Sequence, residues 1–251
     1  MSWTQERSGS SCRAFGALTL LIVGISFLLV RPARAEDDAV SALLFGSLDA
    51  GPSVFATGGA KIAFDRIDRE GFAILASAGM GHRSERGPTA QAGGPTRAVR
   101  WTTLGAALFG YQWFHDWGVL AVYAGPEGSA EALSCGCGTR TLPVRLGVRL
   151  HGEVWARPSE ATLLNATLIL GSARGDLWTR LAYGDRIHGV YVGPELAVYG
   201  DGTGYRKWSF GLHATDLVVA GLRLRIAAGY LLETQTQRGS PYVAVSAWMP
   251  L

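Results

Sequence analysis

The sequence predicts an all-β fold, an antiparallel up-and-down transmembrane β-barrel of about twelve strands. Three observations support the prediction. One long stretch alternates strictly between apolar and charged residues, the strand candidates add up to an even number, and long connections alternate with short ones. Barrels that face lipid on the outside and a polar lumen on the inside have all three features.

The alternating stretch runs from Leu142 to Ala156. Every second residue from Leu142 onward is apolar or glycine, and the residues between them are Pro143, Arg145, Gly147, Arg149, His151, Glu153 and Trp155. This period of two requires an extended strand, because a helix would mix the two sets. Strands of soluble sandwiches average about five or six residues, whereas a tilted strand needs roughly 9 to 11 residues to cross a bilayer. The stretch is therefore predicted to span a membrane with its charged set facing the lumen.

Further strand candidates occupy most of the chain, and no amphipathic helix is predicted between them. The full set lies at 40–51, 53–65, 72–81, 97–113, 117–124, 142–156, 161–172, 177–185, 190–199, 205–215, 221–231 and 241–251. An even count places both ends of a barrel at one rim. Long polar connections are predicted at 82–96 and 125–141, and Asp201-Gly202-Thr203-Gly204 predicts a hairpin turn.

The first residues have the pattern of a secretory signal peptide. Arg7 and Arg13 form a basic region before an apolar run at 14–30, and Ala33-Arg34-Ala35 forms an A-x-A cleavage site. We expect a signal peptide at 1–35 and one barrel domain at 36–251. The alternative is an uncleaved membrane anchor, since the apolar run approaches spanning length.

Removal of 1–35 would leave equal numbers of acidic and basic side chains in the mature chain. A neutral chain without basic clusters that carry aromatic residues argues against a nucleic-acid partner. No later apolar run is long enough for a membrane helix, so membrane insertion would require a closed barrel.

Two cysteines of the mature chain, Cys135 and Cys137, lie in a Gly-rich segment. In an oxidising compartment they could form a local disulfide, remain an inert pair, or together contact a soft metal. Two ligands are too few for a metal site, so neither a metal nor a cofactor is expected.

Polar residues on the same face as the alternating stretch define a candidate lumen network. Its predicted members are Arg145, Arg149, His151, Glu153, Arg180, Glu195, Lys207, His213, Arg223 and Arg225. Charges inside a narrow barrel must pair or stay hydrated, because an isolated desolvated charge is costly. One interpretation is a salt-bridged plug, since small barrels fill their interiors with side chains. The other is a polar lumen that conducts or binds a polysaccharide.

Aromatic residues gather at predicted strand ends. Trp113, Phe114, Trp117, Trp155 and Trp248 are expected to form an aromatic girdle at the periplasmic membrane interface. The alternative is that they are core aromatics of a soluble barrel. Trp155, together with Tyr199, could also serve as a platform for a sugar ring.

Catalysis has little support in the sequence. His151 and Glu153 lie two residues apart on one face, and Ser209 could supply a nucleophile. That spacing arises easily on a strand, and neither G-x-S-x-G, H-E-x-x-H nor G-x-x-x-x-G-K occurs. We therefore predict no catalytic residues.

Several segments together resemble a known family. They are Phe45-Gly46, Leu48-Asp49-Ala50-Gly51, Val154-Trp155-Ala156-Arg157-Pro158, Gly193-Pro194-Glu195-Leu196, Tyr205-Arg206-Lys207-Trp208-Ser209, Gly211-Leu212-His213-Ala214-Thr215-Asp216 and Ser240-Pro241-Tyr242-Val243-Ala244. In order and spacing the chain from Val40 to Leu251 resembles the cellulose biosynthesis protein BcsS family of alphaproteobacteria. The resemblance implies an envelope protein linked to making or exporting cellulose, and it implies no catalytic residues.

The expected function is that of a non-enzymatic barrel in the outer membrane of a Gram-negative bacterium, assisting cellulose biosynthesis or export. Its expected partners are outer-membrane lipid and, through the resemblance, cellulose or other components of cellulose synthesis and export. Two alternatives remain. One is an outer-membrane lipid- or glycan-modifying enzyme that uses the lumen His and Glu, and the other is a soluble periplasmic ligand-binding barrel.

Overall fold

The computed structural model describes residues 41–86, 97–136, 138–234 and 239–251. The described residues form β1 (Ala42–Ala50), β2 (Ser53–Ala63), β3 (Gly71–Arg86), β4 (Arg97–His115), β5 (Gly118–Cys135), β6 (Gly138–Thr141), β7 (Arg145–Ser159), β8 (Thr162–Gly171), β9 (Asp176–Ile187), β10 (Val190–Gly200), β11 (Arg206–Val219), β12 (Leu222–Glu233) and β13 (Gly239–Pro250). Within these residues, no helix has the length and hydropathy needed to cross a bilayer. The predicted signal peptide at 1–35 lies outside the described residues.

Apart from β6, the described strands close into one antiparallel barrel of twelve strands. Each barrel strand pairs with its neighbours in sequence, and β1 pairs with β13 from Leu43↔Pro250 to Ala50↔Val243 to complete the ring. The short β6 pairs with the end of β5, while the rest of β5 pairs with β7. The predicted all-β antiparallel barrel and its strand number are confirmed.

The two rims of the barrel differ. One rim has four two-residue turns, at 116–117, 160–161, 188–189 and 220–221. His188 and Gly189 have φ values of 49° and 86°, and Ala220 and Gly221 have 50° and 83°. Positive φ at both residues suits the right-handed twist of the flanking strands. Both barrel ends also lie at this rim, which we call the turn rim. The opposite rim is called the loop rim, and outer-membrane barrels place it outside the cell.

The outer face of the barrel is apolar and exposed. On β7, Leu146 and Val148 are 82% and 61% exposed on the outside, while Arg149 faces the lumen and is buried. The same exposed apolar face recurs around the ring at Ile74, Phe109, Leu168, Leu181, Leu196, Leu212, Ile226 and Val243. An extended apolar surface is unfavourable in water. A closed barrel pairs all its backbone hydrogen-bonding groups between strands, so it can expose such a surface to lipid. The geometry therefore fits a transmembrane barrel.

The predicted loop boundaries at the loop rim are wrong. β3 continues to Arg86, and β5 continues through the predicted loop to Cys135. In that part of β5 the buried residues Glu127, Ser129 and Glu131 alternate with small residues on the outer face. The hydrophobic pattern was therefore weak, although the period of two was present. β7 also begins three residues later than predicted, at Arg145.

Candidate functional site

A closed ring of alternating charges crosses the lumen near the loop rim. We call it the six-charge ring, and it consists of Arg83, Glu85, Arg100, Glu131, Arg174 and Asp201. Each guanidinium contacts two carboxylates and each carboxylate contacts two guanidiniums, with N···O distances of 2.6, 2.7, 2.7, 3.1, 3.1 and 3.0 Å. Complete pairing of this kind lowers the cost of burying six charges.

The ring joins opposite sides of the barrel. Its first four members come from the loop-rim ends of β3, β4 and β5, whereas Arg174 and Asp201 come from the β8–β9 and β10–β11 turns. Asp201 is fully buried in its side chain, and it also accepts a hydrogen bond from the Thr203 N–H at 2.9 Å. Burial raises the pKa of Asp201, but the hydrogen bonds from Thr203 and Arg83 outweigh it and keep the pKa below its ordinary value.

Two tyrosine side chains contact members of the six-charge ring. The Tyr199 hydroxyl accepts a hydrogen bond from Arg174 Nη1 at 2.8 Å and donates to Asp201 Oδ2 at 3.1 Å. The Arg83 guanidinium lies 4.1 Å from the centre of the Tyr205 ring. Tyr199 is therefore held by the ring, which leaves it poorly placed as a platform for sugar.

Packed and paired side chains fill most of the β2–β8 side of the lumen, which keeps a small cavity of about 30 Å³ beside Arg149. Arg149 Nε donates to Glu127 Oε2 at 2.8 Å, and deeper in the barrel Lys61 on β2 forms an ion pair with Glu153 on β7. His151 Nε2 lies 3.8 Å from Glu153 Oε2. Tyr123 is completely buried beside Lys61, whose Nζ lies 5.3 Å from the ring centre. His151 and Glu153 therefore belong to an enclosed ionic cluster.

The other side of the lumen contains a cavity. It has a volume of about 70 Å³ and is bordered by β1 and β9 to β13. Arg225 pairs with Glu195, and Arg180 Nη2 donates to Asn165 Oδ1 at 3.1 Å. Lys207 and Ser209 also line this cavity. Ser209 thus lies on the cavity side, whereas His151 belongs to the cluster on β7, and the described contacts do not join them.

Two tryptophans meet inside the barrel near the turn rim. Trp155 on β7 and Trp248 on β13 have ring centres 5.5 Å apart at an angle of 63°. These strands are not neighbours in the ring, so the contact must cross the lumen. The prediction that both residues belong to an interfacial girdle is therefore wrong. Outward aromatics near this rim instead include Phe72, which stacks on Phe109 with ring centres 5.3 Å apart.

The predicted lumen residues do not form one network. Those facing the interior are Arg149, His151, Glu153, Arg180, Glu195, Lys207, His213 and Arg225, which divide between the paired side, the cavity and the turn-rim end. His213 contacts Thr215 Oγ1 at 2.8 Å and the Tyr183 carbonyl at 3.0 Å. Arg145 is exposed at the loop rim, and Arg223 is exposed at the turn rim, where it lies 3.5 Å from Asp216.

No member of the six-charge ring was among the predicted lumen residues. Arg83 and Glu85 stand two residues apart, as inward-facing residues of a strand do, and Glu127 and Glu131 stand four apart. Extending the period of two past Gly81 and Ala124 would have revealed Arg83, Glu85 and Glu131, together with Glu127, which pairs with Arg149 outside the ring. Asp201 and Arg174 lie in turns, where strand periodicity gives no signal.

Of the two cysteines predicted to form a local disulfide or an inert pair, the structure describes one. Cys135 at the end of β5 is disulfide-bonded, while Cys137 lies outside the described residues. The proposed pairing of the two stays a prediction. Among the residues that the structure describes, no group of three or more His, Cys, Asp or Glu side chains could hold a metal ion.

Solved structures with a similar fold are bacterial barrels. The translocator domain of the autotransporter NalP from Neisseria meningitidis is 12% identical, with a TM-score of 0.48 over 98% of this chain and 100% of that chain. The β domain of the Bordetella autotransporter BrkA is 14% identical, with a TM-score of 0.45 over 85% and 100%. The KdgM porin, solved in complex with disordered oligogalacturonate, is 7% identical, with a TM-score of 0.39 over 83% and 99%.

No curated protein matches the sequence significantly. One family model does, and its match covers residues 43–251, which include the whole described barrel except its first residues. The segments that suggested a family from the sequence fall within this match. The chain belongs to the cellulose biosynthesis protein BcsS family.

Proposed function

We propose that this protein is a non-enzymatic outer-membrane barrel that assists cellulose biosynthesis or export as a closed membrane anchor. On this proposal it organises the export site or contacts the polymer through its rims, and cellulose does not pass through its lumen. The observation that carries the proposal is the obstruction of the lumen at three levels. The six-charge ring, the Lys61–Glu153 pair and the Trp155–Trp248 pair each join separated strands.

Barrel size supports the same conclusion. Open aqueous channels are typical of barrels with about 16 to 18 strands, whereas smaller barrels fill their interiors with side chains. A cellulose chain would have to displace paired charges at the loop rim and two tryptophans at the turn rim. Removing one partner from a buried ion pair costs about 3 to 5 kcal/mol, which indicates that separating the charges of the ring and of the Lys61–Glu153 pair is unfavourable.

The outer surface supports the proposed location. Apolar residues such as Leu212 and Leu181 are 64% and 51% exposed on the outer face. The proposal predicts that the protein is recovered in the outer-membrane fraction of a Gram-negative host. It should also migrate faster on a detergent gel before heating than after heating, as closed barrels do. A mature protein that stays soluble without detergent after membranes are pelleted would support the soluble-barrel alternative.

The assisting role is tested by deletion and complementation in the host, and the closed lumen is tested by the conductance of the purified protein. Deletion should lower cell-associated cellulose, measured as glucose released by cellulase, and the wild-type chain should restore it. The purified protein should give no stable porin-like conductance in planar bilayers. Unchanged cellulose after deletion would overturn the assisting role, while steady conductance would overturn the closed lumen without affecting that role.

The catalytic alternative is tested by His151→Ala, which leaves the Lys61–Glu153 pair in place. The non-enzymatic proposal expects this variant to restore cellulose as well as the wild type does. Arg145→Ala, at an exposed position of the same strand, is the matched control. Loss of cellulose with His151→Ala alone, at wild-type barrel levels, would favour the enzyme.

A further inference from the structure

The cavity on the β9–β13 side carries more positive than negative charge. Three cationic side chains line it, Arg180, Lys207 and Arg225, against two carboxylates, Asp49 and Glu195. Arg225 is paired with Glu195, and Asp49 interacts electrostatically with both arginines. The side chains around the cavity therefore have one positive charge in excess.

Among the described residues, Lys207 and Arg180 are the two cations of the cavity that form no ion pair. Lys207 has no ion-pair partner there, although Glu233 stands opposite it in the β11–β12 register. The Glu233 carboxylate accepts a hydrogen bond from the Tyr205 hydroxyl at 2.5 Å and does not line the cavity. A partly buried ammonium without an ion-pair partner is unfavourable.

Two deeply buried donors also lack partners. Arg225 is 4% exposed and Tyr242 is 7% exposed, and both line the cavity. Arg225 Nε and the Tyr242 hydroxyl have no hydrogen-bond partner among the described residues. Buried polar groups almost always have a partner in protein, water or ligand, so the cavity must contain acceptors that these donors can reach.

We propose that this cavity is a binding site for a small monovalent anion, such as a halide or a carboxylate of the size of formate. The excess positive charge and the unpaired donors both favour an anionic acceptor. The volume of about 70 Å³ is about half that of the roughly 150 Å³ cavity that accommodates benzene, so an intact hexose ring is too large. The Arg180 guanidinium lies over the Trp178 ring, 5.4 Å from its centre. That face of the ring is therefore not available for stacking on a sugar.

The inference does not depend on the proposed role in cellulose production, and it is tested on the purified barrel in detergent. Trp178 lines the cavity, so iodide bound there should quench its fluorescence. The wild type should show a saturable quenching component in addition to the linear quenching of exposed tryptophans. Formate should compete with the saturable component, and glucose should leave it unchanged.

Variants separate the cavity from the rest of the barrel. Trp178→Phe should remove the saturable signal, and Lys207→Met should weaken iodide binding at least tenfold. Arg206→Met is the matched control, because Arg206 is the neighbouring cation on β11 but is exposed, and it should behave like the wild type. Heat-modifiable mobility checks that each variant is folded.

Strictly linear quenching of the wild type over the whole iodide range would overturn the inference and leave a cavity filled by water alone. This comparison needs no variant, so the result stands even if Lys207→Met fails to fold. Saturation that survives in Trp178→Phe, or that glucose abolishes while formate does not, would also contradict an anion site at this position.

Discussion

Lys61 on β2 and Glu153 on β7 form an ion pair across the lumen, 92 positions apart in sequence. The strands β3, β4 and β5 separate them around the ring. Their side chains are only 12% and 18% exposed, so each depends on the other for most of its compensation. The pair therefore ties two separated walls of the barrel together at mid-depth.

Breaking this pair on one side should destabilise the barrel more than removing both charges. Lys61→Met removes the main partner of the Glu153 carboxylate and leaves only His151, whose Nε2 lies 3.8 Å away. We expect a loss of about 3 kcal/mol, toward the lower end for buried pairs because both groups keep some exposure. The double variant Lys61→Met with Glu153→Gln should recover most of that loss. The measurement is the free energy of unfolding by urea in phospholipid vesicles.

The exposed pair Arg66–Asp68, 2.7 Å apart in the 64–70 connection, supplies the control. Arg66→Met should leave the free energy of unfolding unchanged within error, since exposed pairs contribute little. Equal stability of Lys61→Met and the double variant would show that the lumen pair is solvated instead of mutually compensated.

The tryptophan contact at the turn rim should show direct coupling. Trp155→Leu and Trp248→Leu each remove one ring of an edge-to-face pair. Such pairs contribute about 0.5 to 1.5 kcal/mol to stability beyond the effect of their buried area. A double-mutant cycle on the urea unfolding free energy should return a coupling of that size. As a control, Trp208, which is 47% exposed on the outer face, should show no coupling to Trp155. A coupling free energy of zero between Trp155 and Trp248 would mean that the two rings are not in contact.

Acid should weaken the six-charge ring through Asp201. This carboxyl lies in the β10–β11 turn, outside the spanning strands, and its pKa is lowered in the folded protein. A lowered folded pKa gives stability that is complete above the unfolded pKa of about 3.9 and is lost as the pH falls through the lower folded value. We expect the stability advantage of the wild type over Asp201→Asn to be constant above about pH 5 and to shrink below about pH 4.

The control for the pH series is Asp116→Asn. Asp116 is exposed in a two-residue turn at the opposite rim, so this variant should follow the wild type at every pH. The measured quantity is again the free energy of unfolding by urea, between pH 6 and pH 2.5. A wild-type advantage that persisted unchanged to the lowest pH would mean that Asp201 is not an ionised member of the ring.

The alternation of β7 predicted the barrel because its apolar set and its charged set are both strong. It also identified inward residues such as Arg149 and Glu153. The six-charge ring escaped prediction because Glu131 faces inward from a part of β5 whose outer face is made of small residues, and because Arg174 and Asp201 come from turns. Trp155 was ambiguous for a different reason, since a tryptophan at a strand end suits both a lipid interface and a lumen plug.

The sequence could not predict which side chains contact each other across the lumen, and the reason is physical. Strand periodicity assigns a side chain to a face, but contacts across a lumen depend on strand tilt and stagger around the whole ring. Lys61 and Glu153 meet only because three intervening strands set their relative heights. A local sequence pattern does not contain that information.

The exposed apolar face of β11 should be covered by lipid. Leu212 lies in the middle of β11 and is 64% exposed, and Val219 ends the same strand and is 56% exposed. If lipid surrounds the barrel, Leu212→Arg should cost about 2 to 4 kcal/mol, whereas Val219→Arg should cost about 0 to 1 kcal/mol because it lies near the interface. Both are measured as free energies of unfolding in vesicles. Since the two positions differ little in exposure, a barrel surrounded by water would tolerate both arginines equally, and equal costs would contradict a membrane-spanning β11.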